Sequence, residues 1–170
     1  SKPAVEGGVG GRLGESLRGL PRVELRGVTV NWAPHPAPGS LLGTASLPSG
    51  RVQPFTWLLR SDHGHAVVRC ISPIGRTHPD ENRQLVVEQA ALHPSRVGAI
   101  PTKYIQSYDL TVEDDVLLGT KEHDAARVAA LVRRVTEQAD QMERETFGAD
   151  RDAHLQQFEQ QLAEDGASAD

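Results

Sequence analysis

Two histidines separated by one glycine, His63-Gly64-His65, follow Asp62 directly. That spacing would let two imidazoles and a carboxylate approach one metal ion. The pattern supplies no third and fourth ligand of fixed proximity, so polar residues at an exposed turn are the simpler reading. His78, Asp80 and Glu81 make a second cluster within reach of acid/base chemistry. Carboxylates in the first turn of a helix, however, already answer the positive end of its dipole, which points to capping. Cys70 is the single cysteine, so no internal disulfide forms. It lies in an alternating strand, where a thiol packs as a small hydrophobe unless a cation or histidine activates it. Glu113-Asp114-Asp115 could hold a cation, but a charged turn between paired strands accounts for them more simply. Gly8-Val9-Gly10-Gly11-Arg12-Leu13 breaks the dinucleotide fingerprint at its last position, and no Walker loop, nucleophile elbow or His-Glu-x-x-His is present. The expectation is no enzyme, no catalytic residues, no metal and no cofactor; the alternative is a small enzyme or metal-binding protein using the His63/His65 hairpin.

The elements that must position these residues follow from periodicity. Four glycines among residues 1–12 suggest a mobile Gly-rich arm. Leu13, Leu17 and Leu20 recur at helical spacing but share the segment with Gly14 and Gly19, so a short, weak helix is expected. From Pro21 the period becomes two: Val23 and Leu25, then, after Gly27, Val28, Val30 and Trp32. That slip of phase suggests a bulge within one strand. Pro34, Pro36 and Pro38 mark a loop. Leu41 to Leu47 reads as a short edge strand, Val52 to Arg60 as a strand, and Ala66 to Ser72 as its partner across a Ser61-Asp62-His63-Gly64 hairpin turn.

A helix then opens at Thr77 or His78 with Pro79 in its first turn. It presents Leu85, Val86, Gln89 and Ala90 on one face and stops before Pro94. Strands are expected at Lys103 to Asp109 and Thr111 to Leu118. The strongest pattern is the last helix, Thr120 to Phe147, where Ala125, Val128, Leu131, Val132, Val135, Ala139 and Met142 recur at three and four, with Gly148 as a C-terminal stop. Residues 149–170 form an amphipathic helix with Leu155, Phe158 and Leu162 on one edge, followed by an acidic tail. The expected fold class is α+β: a mainly antiparallel sheet of about five strands, packed by a middle helix and a long C-terminal helix. Residues 13–148 are expected to form a single domain.

The chain has 170 residues, enough for a sizeable core. Its net charge is -5 and its arginines are scattered, which argues against a nucleic-acid groove or an anionic membrane surface. No apolar run approaches the roughly 20 residues of a membrane span, and no signal-peptide pattern opens the chain. A cytoplasmic location is expected. The apolar surplus instead suggests partner binding, with Trp32, Phe55, Trp57, Leu155, Phe158 and Leu162 as candidate contacts. It also suggests a homodimer or hetero-complex.

The order of elements, a weak helix, three or four strands, a helix, two strands and a long helix, resembles that of the type III secretion chaperone fold, shared by the YbjN-like proteins of bacteria. Pro79-Asp80-Glu81-Asn82 entering the middle helix, after the strand containing Phe55-Thr56-Trp57-Leu58-Leu59, is similar to actinobacterial YbjN-like sequences. The resemblance covers approximately Pro21 to Gly148. The proline-rich loop and the Gln-rich last helix depart from the usual pattern. The resemblance implies a non-enzymatic chaperone or adaptor whose sheet and helices present a groove or dimer face to a dedicated bacterial peptide or protein client.

Overall fold

The structure, a computed structural model, describes residues 22–25, 28–34, 40–78, 81, 84, 88, 91–92, 95–103, 106–119, 123–149 and 151–169. The Gly-rich arm, the weak helix at 13–20, the Leu85/Val86/Gln89/Ala90 face and the Thr120 cap lie outside them. The elements are β1 (Arg22–Leu25), β2 (Val28–Pro34), β3 (Ser40–Ser46), β4 (Val52–Asp62), β5 (His65–Thr77), β6 (Arg96–Pro101), β7 (Tyr108–Leu118), α1 (Asp124–Phe147) and α2 (Arg151–Ala169). Glu81, Gln84, Glu88, Ala91 and Leu92 are helical as well. The strands form one sheet in the order β1-β2-β3-β4-β5-β7-β6. The class is α+β as expected, with a long C-terminal helix. Its first five strands run as an antiparallel meander, and β7 and β6 extend the sheet to seven.

The chain divides into two compact units. The first comprises residues up to Ser72 together with Glu113–Glu137; the second comprises Pro73–Val112 and Gln138–Asp170.

In the first unit the hairpin between β4 and β5 forms where expected. Asp62 pairs with His65, and the two residues between them, His63 and Gly64, sit at φ 48 and 80. Two successive positive φ values define the tight turn whose twist matches antiparallel strands. Other expectations are corrected. Leu25 pairs with Val28, so the change of phase at Gly27 is a chain reversal between β1 and β2 and not a bulge within one strand. Both arrangements shift the alternation at a glycine, which is why periodicity alone confuses them. β3 lies between β2 and β4 and is not an edge strand. Alternation along β4 buries Gln53, Phe55 and Trp57, and along β5 it buries Val68, Cys70 and Ser72. Gly43 registers with Phe55, and a Cβ placed on it would fall on the Phe55 ring.

Val128, Leu131, Val132 and Val135 of α1 are all fully buried, one stripe at helical spacing. Asp114 and Asp115 lie within β7 and not in a turn. Consecutive strand residues point to opposite faces, and each carboxylate takes its own arginine: Asp114 binds Arg134 of α1 at 3.0 Å and Asp115 binds Arg69 of β5 at 2.8 Å.

In the second unit β5 continues past the end of its ladder with β4, whose last pair is Thr56 with Ile71. The sequence reading ends this strand at Ser72; the strand runs on through Pro73 to Thr77. Ile74 and Gly75 are buried in succession, and Gly75 lies so close to Phe147 that a Cβ would strike the ring. The strand expected at Lys103 to Asp109 is displaced: β6 occupies Arg96–Pro101, Gln106 turns the chain at φ 55, and Tyr108 begins β7. Val97-Gly98-Ala99-Ile100 is a weak strand signal bounded by Pro94 and Pro101, whereas the alternation of Tyr104, Gln106 and Tyr108 is coincidental. α1 ends as expected, with Gly148 at φ 67 and its N–H donating to the Arg144 carbonyl at 3.2 Å.

Candidate functional site

The His63/His65 hairpin does not assemble a site. Both imidazoles are exposed; among the described residues His63 pairs with Asp62, at 3.5 Å with side-chain exposures of 92% and 71%. Among the described residues no three His, Cys, Asp or Glu side chains are placed to hold a metal. Cys70 is fully buried, and that burial pushes its thiol above the ordinary range, away from the thiolate a nucleophile requires.

A cleft of about 490 Å3 opens in the second unit, within the size range of small-ligand sites. Its base is the end of β5, Arg76 and Thr77, followed by His78. One wall is a helical stripe, Glu81, Gln84 and Glu88, at positions i, i+3 and i+7. The facing wall is His154, Phe158 and Gln161 of α2, at i, i+4 and i+7, with Thr146 and Phe147 from the end of α1 closing the back.

Most polar groups of the cleft are engaged within the unit. The Thr77 hydroxyl donates to Glu81 Oε2 at 2.6 Å, tying the start of the helix to the strand. Gln84 donates to Glu88 Oε1 at 3.0 Å. The Arg76 guanidinium is bidentate on Asp109 at 2.8 and 3.3 Å, with Glu159 at 3.9 Å. His78 Nδ1 lies 3.3 Å from the Gln106 carbonyl, which can only accept, so the Nδ1–H tautomer makes that bond.

His154 docks α2 onto the strand. Its Nε2 lies 3.0 Å from the Arg76 amide nitrogen and 2.9 Å from the Arg76 carbonyl oxygen. Both backbone groups lie beyond the β4 ladder, and a neutral ring satisfies one or the other according to its tautomer. Its ring stacks on Phe147 with centroids 4.0 Å apart, and Phe158 lies between His154 and His78 at 6.2 and 5.4 Å. Burial pushes His154 below its ordinary value; the Arg76 backbone contact opposes this and the Arg76 charge adds to it. A histidine lowered by folding contributes stability that is complete above its unfolded pKa of about 6.5 and is lost as pH falls below that value toward the folded one. The unfolding midpoint should therefore decline as the pH falls below about 6.5. His154→Gln, which keeps an amide near the backbone but does not titrate, should flatten that decline. An unchanged profile in the variant would show that another group carries it.

Of the candidate partner contacts whose side chains are described, Phe158 alone lines the cleft. It is 9% exposed, whereas Leu155 and Leu162 beside it on α2 are half-buried. Phe55 and Trp57, 1% and 3% exposed, belong to the core of the first unit and offer no surface. Their alternation with polar residues marks a half-buried strand whose inward face serves packing, not contact. Trp32 stands on β2 in register with Gly43, and its side chain is outside the described residues. The sequence reading missed Arg76, Gln84, Glu88, Phe147, His154 and Gln161; the two polar stripes at helical spacing were the available signal.

Compared with protein-family models, with curated proteins and with solved structures, the chain gives no match.

Proposed function

We propose that this chain is a non-enzymatic chaperone or adaptor that holds a peptide segment of a dedicated protein partner, with the cleft of the second unit as its docking site. The observation that carries the reading is the state of the cleft. Its guanidinium, its imidazoles and one oxygen of each wall glutamate are taken up by bonds within the unit, and what they leave is an open surface of rings and carboxylate edges. Such a surface suits recognition of a side chain more than proton transfer, which needs a base aimed at its substrate. The resemblance of the sequence to type III secretion chaperones and YbjN-like proteins points the same way. Leu155 and Leu162 extend the surface along α2. A homodimer or hetero-complex in the cytoplasm, away from nucleic acid and membrane, completes the reading. Among the described residues no helix is long and apolar enough to cross a membrane.

The test is saturable binding of the full chain to a panel of unstructured peptides, followed by fluorescence polarisation. Leu162→Asp and His78→Ala should each weaken binding while leaving the melting temperature near that of the parent. Peptide binding unaffected by both changes would place the docking surface elsewhere, and no binding to any peptide would remove the reading.

A further inference from the structure

The geometry points to a cationic side chain, an arginine of the bound segment, as the group the cleft selects; this rests on the peptide-binding reading above. The first support is the charge left over once the internal bonds are counted. Glu81 uses Oε2 for Thr77, and Glu88 uses Oε1 for Gln84. Glu81 Oε1 and Glu88 Oε2 accept no further hydrogen bond among the described residues, and both side chains are exposed on one stripe of the wall. The guanidinium at the base is neutralised in place: Arg76, 13% exposed, is held by Asp109 and flanked by Glu159. Among the described residues that line the cleft, an anionic ligand would meet two carboxylates and a guanidinium already held by Asp109, whereas a cation meets complementary charge.

The second support is a ring pair that lines the same cleft. His78 and Phe158 stand 5.4 Å apart at an interplanar angle of 36° and both line the cleft. A guanidinium is planar and weakly hydrated, so it stacks on ring faces while its edge donors reach carboxylates. A lysine ammonium supplies the charge without the plane and should bind less well. Free arginine or a small guanidine offers the same group without a chain. A segment of peptide is the chosen occupant, because the half-buried Leu155 and Leu162 continue the surface beside the cleft.

The experiment measures binding of the full chain to labelled peptides of one neutral scaffold whose central residue is Arg, Lys, Gln or Glu, with free arginine methyl ester as competitor. The expected order is Arg, then Lys, then Gln, with Glu weakest, and affinity for the Arg peptide should fall as salt rises. Glu88→Gln should weaken the Arg peptide about two- to fivefold and leave the Gln peptide unchanged. Glu88→Lys should weaken it further. Glu88 is exposed, so both variants should melt near the parent. Equal affinity for the Arg and Gln peptides, lost in His78→Ala, would overturn the cationic selection and leave peptide binding standing. Arginine methyl ester binding as tightly as the Arg peptide would overturn the choice of a peptide. Absence of binding to every peptide would overturn both.

Discussion

Leu131→Asp should abolish or severely weaken the folded first unit. Leu131 is fully buried in α1, and Val128, Val132 and Val135 around it are equally inaccessible. A carboxylate there loses its hydration with no partner among these apolar neighbours, so it must either ionise at great cost or fold protonated in a space shaped for a branched alkyl group. The expected loss is roughly 4 kcal/mol or more, a large share of the about 5–15 kcal/mol that holds a typical domain together. In a chain of this size that corresponds to a fall in melting temperature of roughly 8–16 °C, or to loss of the cooperative transition. Ala130→Asp is the matched control, since Ala130 precedes Leu131 and is exposed; it should change stability by about 0.5 kcal/mol or less. Similar melting of the two variants would show that the stripe does not carry the core.

Gly43→Val should be the second most damaging single change. Gly43 registers with Phe55 on β4 and with Trp32 on β2, and the Phe55 ring occupies the space where a side chain on Gly43 would stand. Phe55 is 1% exposed, so the ring has no solvent-side position to retreat to. The added carbons force a displaced strand or an off-rotamer ring, at a cost of about 3 kcal/mol. Phe55→Ala alone leaves a cavity and should cost about 3–5 kcal/mol. Combined, the two changes partly fill each other's fault, so the double variant should be more stable than the sum of the single losses implies. Denaturant unfolding of the four proteins measures the coupling. Strict additivity would mean that Phe55 does not lie over Gly43.

These two positions also mark what could be read from the sequence. The α1 stripe and the Gly148 stop were legible because helix period and capping are local properties, and the β4–β5 turn was legible because Asp62-His63-Gly64 satisfies its backbone demands within a few residues. The close approach of Gly43 to Phe55 was not, since a glycine in a strand signals only that something is near. The hairpin at β1 and β2 was misread because a reversal and a bulge leave the same mark on a period of two. The cleft was the least legible feature. It joins the end of β5 to α2 across 78 residues of sequence, the separation between Arg76 and His154. Nothing in either segment announces the other. Glu81 is marked by its place at a helix start, and it does bind Thr77 there; that it also lines the cleft is a tertiary fact.

The burial of Cys70 gives the chain a built-in reporter. The sole thiol of the protein stands one pair from the end of the β4–β5 ladder, in register with Trp57, and closed to solvent. An alkylating reagent cannot reach it until the strands part, so the labelling rate at high reagent excess counts openings of the first unit under native conditions. When reclosing outpaces the chemistry, the rate is the product of the opening equilibrium and the intrinsic reactivity of an exposed thiol; when it does not, the rate becomes the opening rate itself. A wild-type protein, without introduced dyes or cysteines, thus carries its own clock for how often its sheet comes apart, and a bound partner that steadies that unit would slow it.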